Sequence, residues 1–125
     1  MDGKLRIAVA DDDVGFRETL RRMVLALGHE VGLVATNGAE LVESARQTPV
    51  DLAIVDLEMP VMDGLAAAEE LWQAHRTPVI LLTGHADFGN IVRDQEPIAT
   101  YLLKPVSLQR LGDAIDEALR KAAGA

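Results

Sequence analysis

The sequence predicts an α/β fold in which one parallel five-stranded sheet is covered by helices on both faces. Four apolar runs, near residues 5–10, 52–55, 79–82 and 100–103, are too continuous for strands with one face in water. Segments with helical apolar spacing lie between these runs, and the connections are short. Right-handed crossovers between parallel strands then give a doubly wound (βα)5 three-layer sandwich.

The apolar spacing and the capping residues locate most of the connecting helices. Gly28 is a candidate C-cap of the first helix, Asn37 with Glu40 predicts the start of the second, and Ser107 predicts the start of the last. The predicted inner faces are Phe16, Leu20, Met23, Val24 and Leu27 in the first helix, Leu41, Val42 and Ala45 in the second, Leu65, Ala68, Leu71 and Trp72 in the third, and Leu108, Leu111, Ile115 and Leu119 in the last.

The second strand has a different pattern from the other four. Residues 30–36 alternate, which predicts Val31, Leu33 and Ala35 on one side and suits a strand at the edge of the sheet. The strand order 2-1-3-4-5 places this strand at an edge and brings the first and third strands side by side.

The predicted fourth helix is weak. Gly89 and Asn90 interrupt the pattern between Ala86 and Glu96, and Pro97 prevents easy continuation. We therefore expect a short or mobile helix over residues 86–96, which becomes ordered on phosphorylation or partner binding.

Length and composition narrow the class of protein. The 125 residues suggest a single domain over 1–125, and the absence of cysteine excludes disulfides and thiolate chemistry. The net charge of −8 argues against nucleic acid as a direct partner. The apolar runs are far shorter than the roughly 20 residues of a membrane span, and the N-terminus lacks a signal-peptide pattern, so a cytoplasmic location is expected.

Polar residues follow the buried strands at a common end. The acidic triplet Asp11–Asp13 follows the first strand, Asp56 the third, Thr83 the fourth and Lys104 the fifth. In an open parallel sheet ligands bind at the carboxyl ends of the strands, so these groups are expected to surround one pocket.

The residue types in this pocket indicate phosphoryl and cation chemistry. Clustered carboxylates suit Mg²⁺, and a carboxylate can attack phosphorus to form an aspartyl phosphate. Lys104 would neutralise charge, and Thr83 could donate a hydrogen bond to a phosphoryl oxygen. Taken singly each residue also has an ordinary structural explanation, and for Asp13 a helix cap is as good an explanation as a site role.

The motifs IAVADDD, DLAIVDLEMPVMDG, PVILLTG and YLLKP together resemble the receiver domains of two-component response regulators, of the chemotaxis-regulator type, which have a flavodoxin-like fold. The resemblance implies that Asp56 is the phosphoacceptor. It implies that Asp11, Asp12, Asp56 and the backbone carbonyl of Glu58 hold Mg²⁺ or Mn²⁺, and that Thr83 and Lys104 engage the phosphoryl oxygens.

The same resemblance implies roles for residues around the pocket. Tyr101 matches an aromatic switch residue that turns inward together with Thr83, and Lys104–Pro105 matches a peptide bond that is usually cis. Gly64 matches a glycine that closes the loop after the acceptor, where glycine could adopt a positive φ at little cost in conformational energy. Glu58 and His85, two residues beyond Asp56 and Thr83, are expected to tune the lifetime of the phosphoryl group.

The implied function is a signalling switch without separate substrate turnover. Its phosphodonor would be a phosphohistidine of a histidine kinase or a histidine phosphotransfer protein. A downstream protein would read the face made by the fourth helix, the fifth strand and the fifth helix, with no direct role for nucleic acid or a membrane. If Ala125 is the natural end of the chain, we expect output by protein contact, and the sequence does not separate a stand-alone protein from a piece of a hybrid kinase or a longer regulator.

Two alternative functions remain open at this point. A haloacid-dehalogenase-like phosphatase would use Asp11 as nucleophile and Asp13 as acid/base. This alternative gives no role to Asp56. It also requires an acidic pair after a later strand, whereas Asp113 and Asp116 lie inside the predicted last helix. A pseudo-receiver would be an interaction scaffold that is never phosphorylated.

Overall fold

The computed structural model describes residues 3–84 and 99–124, which form five strands and four helices. The strands are β1 (Arg6–Ala10), β2 (Glu30–Ala35), β3 (Leu52–Asp56), β4 (Val79–Thr83) and β5 (Ala99–Leu103). The helices are α1 (Val14–Ala26), α2 (Gly38–Gln47), α3 (Gly64–His75) and α4 (Leu108–Ala123), the last of which is the predicted final helix.

All strand pairs are parallel, in the order β2-β1-β3-β4-β5. Helices α1 and α4 pack on one face of the sheet, where Leu20 and Ile115 are buried with side chains from the central strands. Helices α2 and α3 pack on the other face around Leu41 and Leu71. The predicted flavodoxin-like sandwich and its strand order are therefore confirmed.

Each described helix begins next to a polar capping residue. Asn37 and Ser107 cap α2 and α4 as predicted, and Asp13 caps α1. Asp63 caps α3, which the sequence pattern did not identify. In each case a side-chain oxygen accepts a hydrogen bond from a backbone N–H in the first turn, an interaction that contributes about 1 kcal/mol. These caps fix the helix starts at the end of the sheet where the candidate site lies.

The predicted one-sided alternation of β2 is wrong at Val31. The pairing with β1 shifts between Ile7 and Ala8, so that Gly32 is an extra residue in β2. Val31 packs with the α1–α4 layer, whereas Leu33 packs with the α2–α3 layer. A bulge of this kind reverses which residues face each side, because side chains alternate strictly along a strand.

The prediction of a positive φ at Gly64 is also wrong. The positive φ in this loop, of 70°, is at Val61, which is the centre of a three-residue turn closed by a hydrogen bond from Met62 N–H to Pro60 O at 2.7 Å. Glycine is required at position 64 for a different reason. A Cβ atom there would lie 2.3 Å from the carbonyl oxygen of Asp56, so a larger residue would collide with the end of β3.

The expected weak helix over residues 86–96 lies outside the described residues. Over residues 3–84 and 99–124, no helix has both the length and the apolar character needed to cross a membrane.

Candidate functional site

The predicted pocket residues occupy the carboxyl ends of the central strands. Asp56 and Thr83 are the last residues of β3 and β4, while Asp11 and Lys104 directly follow β1 and β5. The parallel register of these strands brings all four residues to one end of the sheet.

Backbone hydrogen bonds hold the loops at this end in place. Leu57 N–H donates to Leu82 O at 2.8 Å, and Lys104 N–H donates to Thr83 O at 2.7 Å. These bonds continue the sheet ladder one residue past β3 and β5. The side chains of Asp56 and Lys104 are therefore presented from a rigid backbone rather than from free loops.

Three carboxylates form a cluster at this end of the sheet. One oxygen from each of Asp11, Asp12 and Asp56 lies within 4.8 Å of the others. Asp11 is fully buried and Asp56 is only 7% exposed, whereas Asp12 is exposed to solvent. The cluster thus has a buried floor and an open side through which an ion or a phosphoryl group can enter.

The two oxygens of Asp11 have different surroundings. Oδ1 accepts a hydrogen bond from the backbone N–H of Asp13 at 2.8 Å, which fixes the carboxylate plane. Oδ2 is buried and accepts no hydrogen bond from any described residue. A buried carboxylate oxygen that accepts no hydrogen bond is costly in free energy even with the Lys104 ammonium 3.5 Å away, and a hard divalent cation would satisfy it. The donor set therefore fits Mg²⁺, which prefers oxygen ligands.

Lys104 provides the positive charge of the site. Its Nζ lies 3.3 Å from Asp56 Oδ1 and 3.5 Å from Asp11 Oδ2, so a single ammonium bridges the two buried carboxylates. The same Nζ lies 4.3 Å from the centroid of the Phe16 ring. The sequence pattern assigned Phe16 only to the inner face of α1, and no local signal connects it with Lys104.

The surroundings of Asp56 raise the pKa of its carboxyl group. Burial raises the pKa of the Asp56 carboxyl above its ordinary value of 3.8, and the negative charge of Asp11 raises it further. The Lys104 ammonium and a hydrogen bond from the backbone N–H of Glu58 act in the opposite direction. The metal-free site thus retains uncompensated negative charge.

This electrostatic conflict predicts that Asp56→Asn stabilises the metal-free protein. With a raised folded-state pKa, Asp56 contributes stability that is fully present below pH 3.8 and is lost as the pH rises through the folded pKa. At neutral pH the substitution should increase the free energy of unfolding by about 1 kcal/mol. Thermal unfolding in the presence of a chelator measures this gain, which should shrink as the pH is lowered towards 3.8. A lower melting temperature for the variant at neutral pH would contradict the claim that the ionised Asp56 carboxylate destabilises the metal-free fold.

The other predicted site residues differ in their burial. Thr83 is buried, Tyr101 is partly buried against the α2–α3 layer, and Glu58 is exposed. The Lys104–Pro105 peptide bond is cis. His85 lies outside the described residues. The roles assigned to these residues remain predictions.

Comparison with known families identifies the class of protein. The family described as "Response regulator receiver domain" matches residues 7–116 of the chain. The chain therefore belongs to the response regulator receiver domain family. Such domains are signalling switches that bind Mg²⁺ at an acidic pocket and interact with histidine kinases and downstream effectors. Membership of this family does not favour the two alternative functions, a haloacid-dehalogenase-like phosphatase and a pseudo-receiver scaffold. The acidic pocket fits a phosphoacceptor aspartate.

Individual relatives support the same class. The transcriptional regulatory protein PdtaR of Mycobacterium tuberculosis is 35% identical over 118 residues, which is 93% of this chain and 57% of that protein. This chain therefore spans little more than half the length of that relative. Among solved structures, a response regulator receiver domain protein from Clostridium thermocellum has a TM-score of 0.82 at 30% identity, covering 94% of this chain and 96% of the other. The signal receiver domain of a modulated diguanylate cyclase from Desulfovibrio desulfuricans has a TM-score of 0.84 at 28% identity, covering 96% and 97%.

Proposed function

We propose that this chain is the phosphoacceptor receiver of a two-component system or phosphorelay, and that Asp56 takes the phosphoryl group. The observation that carries this proposal is the position of the Asp56 carboxylate, buried beside Asp11 and in contact with the Lys104 ammonium. In the proposed step an Asp56 oxygen attacks the phosphorus of a phosphohistidine. An oxygen–phosphorus bond forms, the phosphorus–nitrogen bond breaks, and the electron pair leaves with the imidazole.

Asp11, Asp12 and Asp56 are the side chains proposed to hold Mg²⁺ or Mn²⁺, together with the backbone carbonyl of Glu58. When bound, the ion supplies positive charge to the phosphoryl oxygens. Support for this assignment comes from the clustering of the three carboxylates and from the buried Oδ2 of Asp11, which accepts no hydrogen bond from a described residue.

Lys104 and Thr83 are proposed to contact the transferred group. Lys104 Nζ is already 3.3 Å from an oxygen of the acceptor, so a small movement would bring it to a phosphoryl oxygen. The Thr83 side chain starts from the adjacent strand end and would donate from its hydroxyl. Together they would neutralise charge that builds up on the transferring group.

A rearrangement of Thr83 and Tyr101 is proposed to transmit the modification. The phosphoryl group adds negative charge near −2 beside Thr83. Thr83 would move towards it, and Tyr101, one strand away, would turn into the space vacated. Glu58 and His85 are proposed to tune the lifetime of the phosphoryl group.

The partners follow from this chemistry. The donor is proposed to be a histidine kinase or a histidine phosphotransfer protein. The recipient of the signal is proposed to be a protein that binds the face made by the predicted helix over residues 86–96, β5 and the final helix α4. The domain is proposed to span residues 1–125, to catalyse only its own phosphorylation and dephosphorylation, and to contact neither nucleic acid nor a membrane directly. The cytoplasmic location expected from the sequence stays a prediction.

Incubation with acetyl phosphate and Mg²⁺, followed by intact-mass measurement, tests the proposed function. We expect one phosphoryl group to be added, only when Mg²⁺ is present, and to be removed by hydroxylamine as an acyl phosphate should be. A folded protein that binds Mg²⁺ but gains no phosphoryl group would contradict the proposal and would favour the pseudo-receiver scaffold.

A further inference from the structure

Among the described residues, the Lys104 ammonium contacts neighbours of two different kinds. The carboxylates of Asp11 and Asp56 lie at 3.5 and 3.3 Å, and the face of the Phe16 ring has its centroid at 4.3 Å. The Lys104 side chain is 27% exposed, so the ring covers part of a cation that is only partly shielded from water. An ammonium at this distance over an aromatic face is attracted by the quadrupole of the ring.

The ring itself is held in place by the start of α1. Phe16 is in the first turn, and its backbone N–H donates to the capping carboxylate of Asp13 at 3.3 Å, as Gly15 N–H does at 2.9 Å. The Phe16 side chain is partly buried against the α1–α4 core layer. Because both its backbone and its inner edge are fixed, the ring forms a rigid wall beside the pocket.

We propose that Phe16 is a positioning residue for Lys104, holding the ammonium by a cation–π contact at the point where it meets a phosphoryl oxygen. This inference rests on the proposed function of Asp56 and Lys104. Phe16 does not touch the reacting atoms, and it acts only through the location of Nζ.

The ring contact differs from the two ion pairs in what happens to it during the reaction. When Asp56 becomes an acyl phosphate, its carboxylate is no longer available to Lys104, and the ammonium must exchange that partner for a phosphoryl oxygen. The contact with Phe16 requires no such exchange. The ring therefore restrains Lys104 both before and after transfer, which lowers the reorganisation needed at the moment of reaction.

Graded fluorination of Phe16 tests this inference. Mono-, di- and trifluorinated phenylalanine at position 16 remove electron density from the ring face with little change in volume. We expect the rate of phosphorylation by acetyl phosphate at saturating Mg²⁺ to fall stepwise along the series. Phe16→Leu should slow it about three- to tenfold, and Phe16→Trp should retain it.

Met23→Leu is the matched packing control, because Met23 is partly buried against the same core layer as Phe16. It should leave the rate unchanged, and thermal unfolding should show that every variant is folded. A rate that stays constant along the fluorinated series would overturn the inference, even if Phe16→Leu is slow, because the ring would then act by packing alone.

A second measurement does not depend on phosphorylation. In the metal-free, unmodified protein the ε-methylene protons of Lys104 should be shifted upfield by the ring current of Phe16, and this shift should disappear in Phe16→Leu. The corresponding protons of Lys121 serve as the control. Absence of the shift in the wild-type protein would overturn the ring contact, whereas a missing phosphoryl adduct with the shift present would overturn the proposed function instead.

Discussion

Asp56→Asn is expected to abolish formation of the phosphoryl adduct, with a loss of more than about a thousandfold in rate. The amide has nearly the shape of the carboxylate, but its oxygen carries no negative charge with which to attack phosphorus. Because the amide has nearly the shape of the carboxylate and removes the repulsion with Asp11, the substitution should leave the fold intact. Intact mass after incubation with acetyl phosphate and Mg²⁺ measures the effect.

Two variants make this result specific. Asp113→Asn removes an exposed carboxylate on α4 and should be phosphorylated like the wild type. Asp11→Asn removes a proposed metal ligand and should weaken Mg²⁺ binding. We therefore expect the phosphoryl adduct to be lost at low Mg²⁺ concentrations but to form on Asp56 at high Mg²⁺ concentrations. If Asp56→Asn were labelled and Asp11→Asn were not, Asp11 would be the nucleophile, as in the phosphatase alternative.

Gly64→Ala is expected to destabilise the protein by about 3 kcal/mol or more. The added Cβ would lie 2.3 Å from the carbonyl oxygen of Asp56 and 2.9 Å from the Cα of Leu57. Both are backbone atoms at the end of a central strand, so neither can move without disturbing the sheet. Urea unfolding of the metal-free protein measures the loss.

Gly15→Ala is the matched control for this substitution. Gly15 also lies at the start of a helix, but among the described residues a Cβ there would meet the Asp13 Oδ1 atom alone, at an ordinary contact distance of 3.4 Å. It should be neutral or slightly stabilising, because alanine is the better helix former. Equal unfolding free energies for the two variants would contradict the close approach at Gly64.

The order of the sheet and the composition of the site could be predicted from the sequence for one physical reason. Buried parallel strands are continuous apolar runs, and the residue that follows such a run lies at a known end of the sheet. Asp11, Asp56 and Lys104 are therefore brought together by strand order alone. The structure confirms their proximity, with Lys104 Nζ within 3.5 Å of both carboxylates.

Features that depend on local irregularity or on contacts between distant elements could not be predicted in this way. The bulge at Gly32 adds one residue to β2, but the alternating apolar pattern of the sequence does not reveal it. The positive φ falls on Val61, a β-branched residue that rarely adopts it, rather than on the nearby glycine. The contact of Phe16 with Lys104 joins the first helix to the last strand, and apolar spacing reports only that Phe16 faces inward.

The bulge in β2 has a consequence for how molecules of this protein meet one another. β2 is an edge strand, and a regular edge offers a row of free N–H and C=O groups to which a strand of a second molecule can pair. An extra residue at Gly32 bends this row and breaks its spacing in the middle of a six-residue strand. Along β2 the irregular edge should therefore disfavour edge-to-edge aggregation.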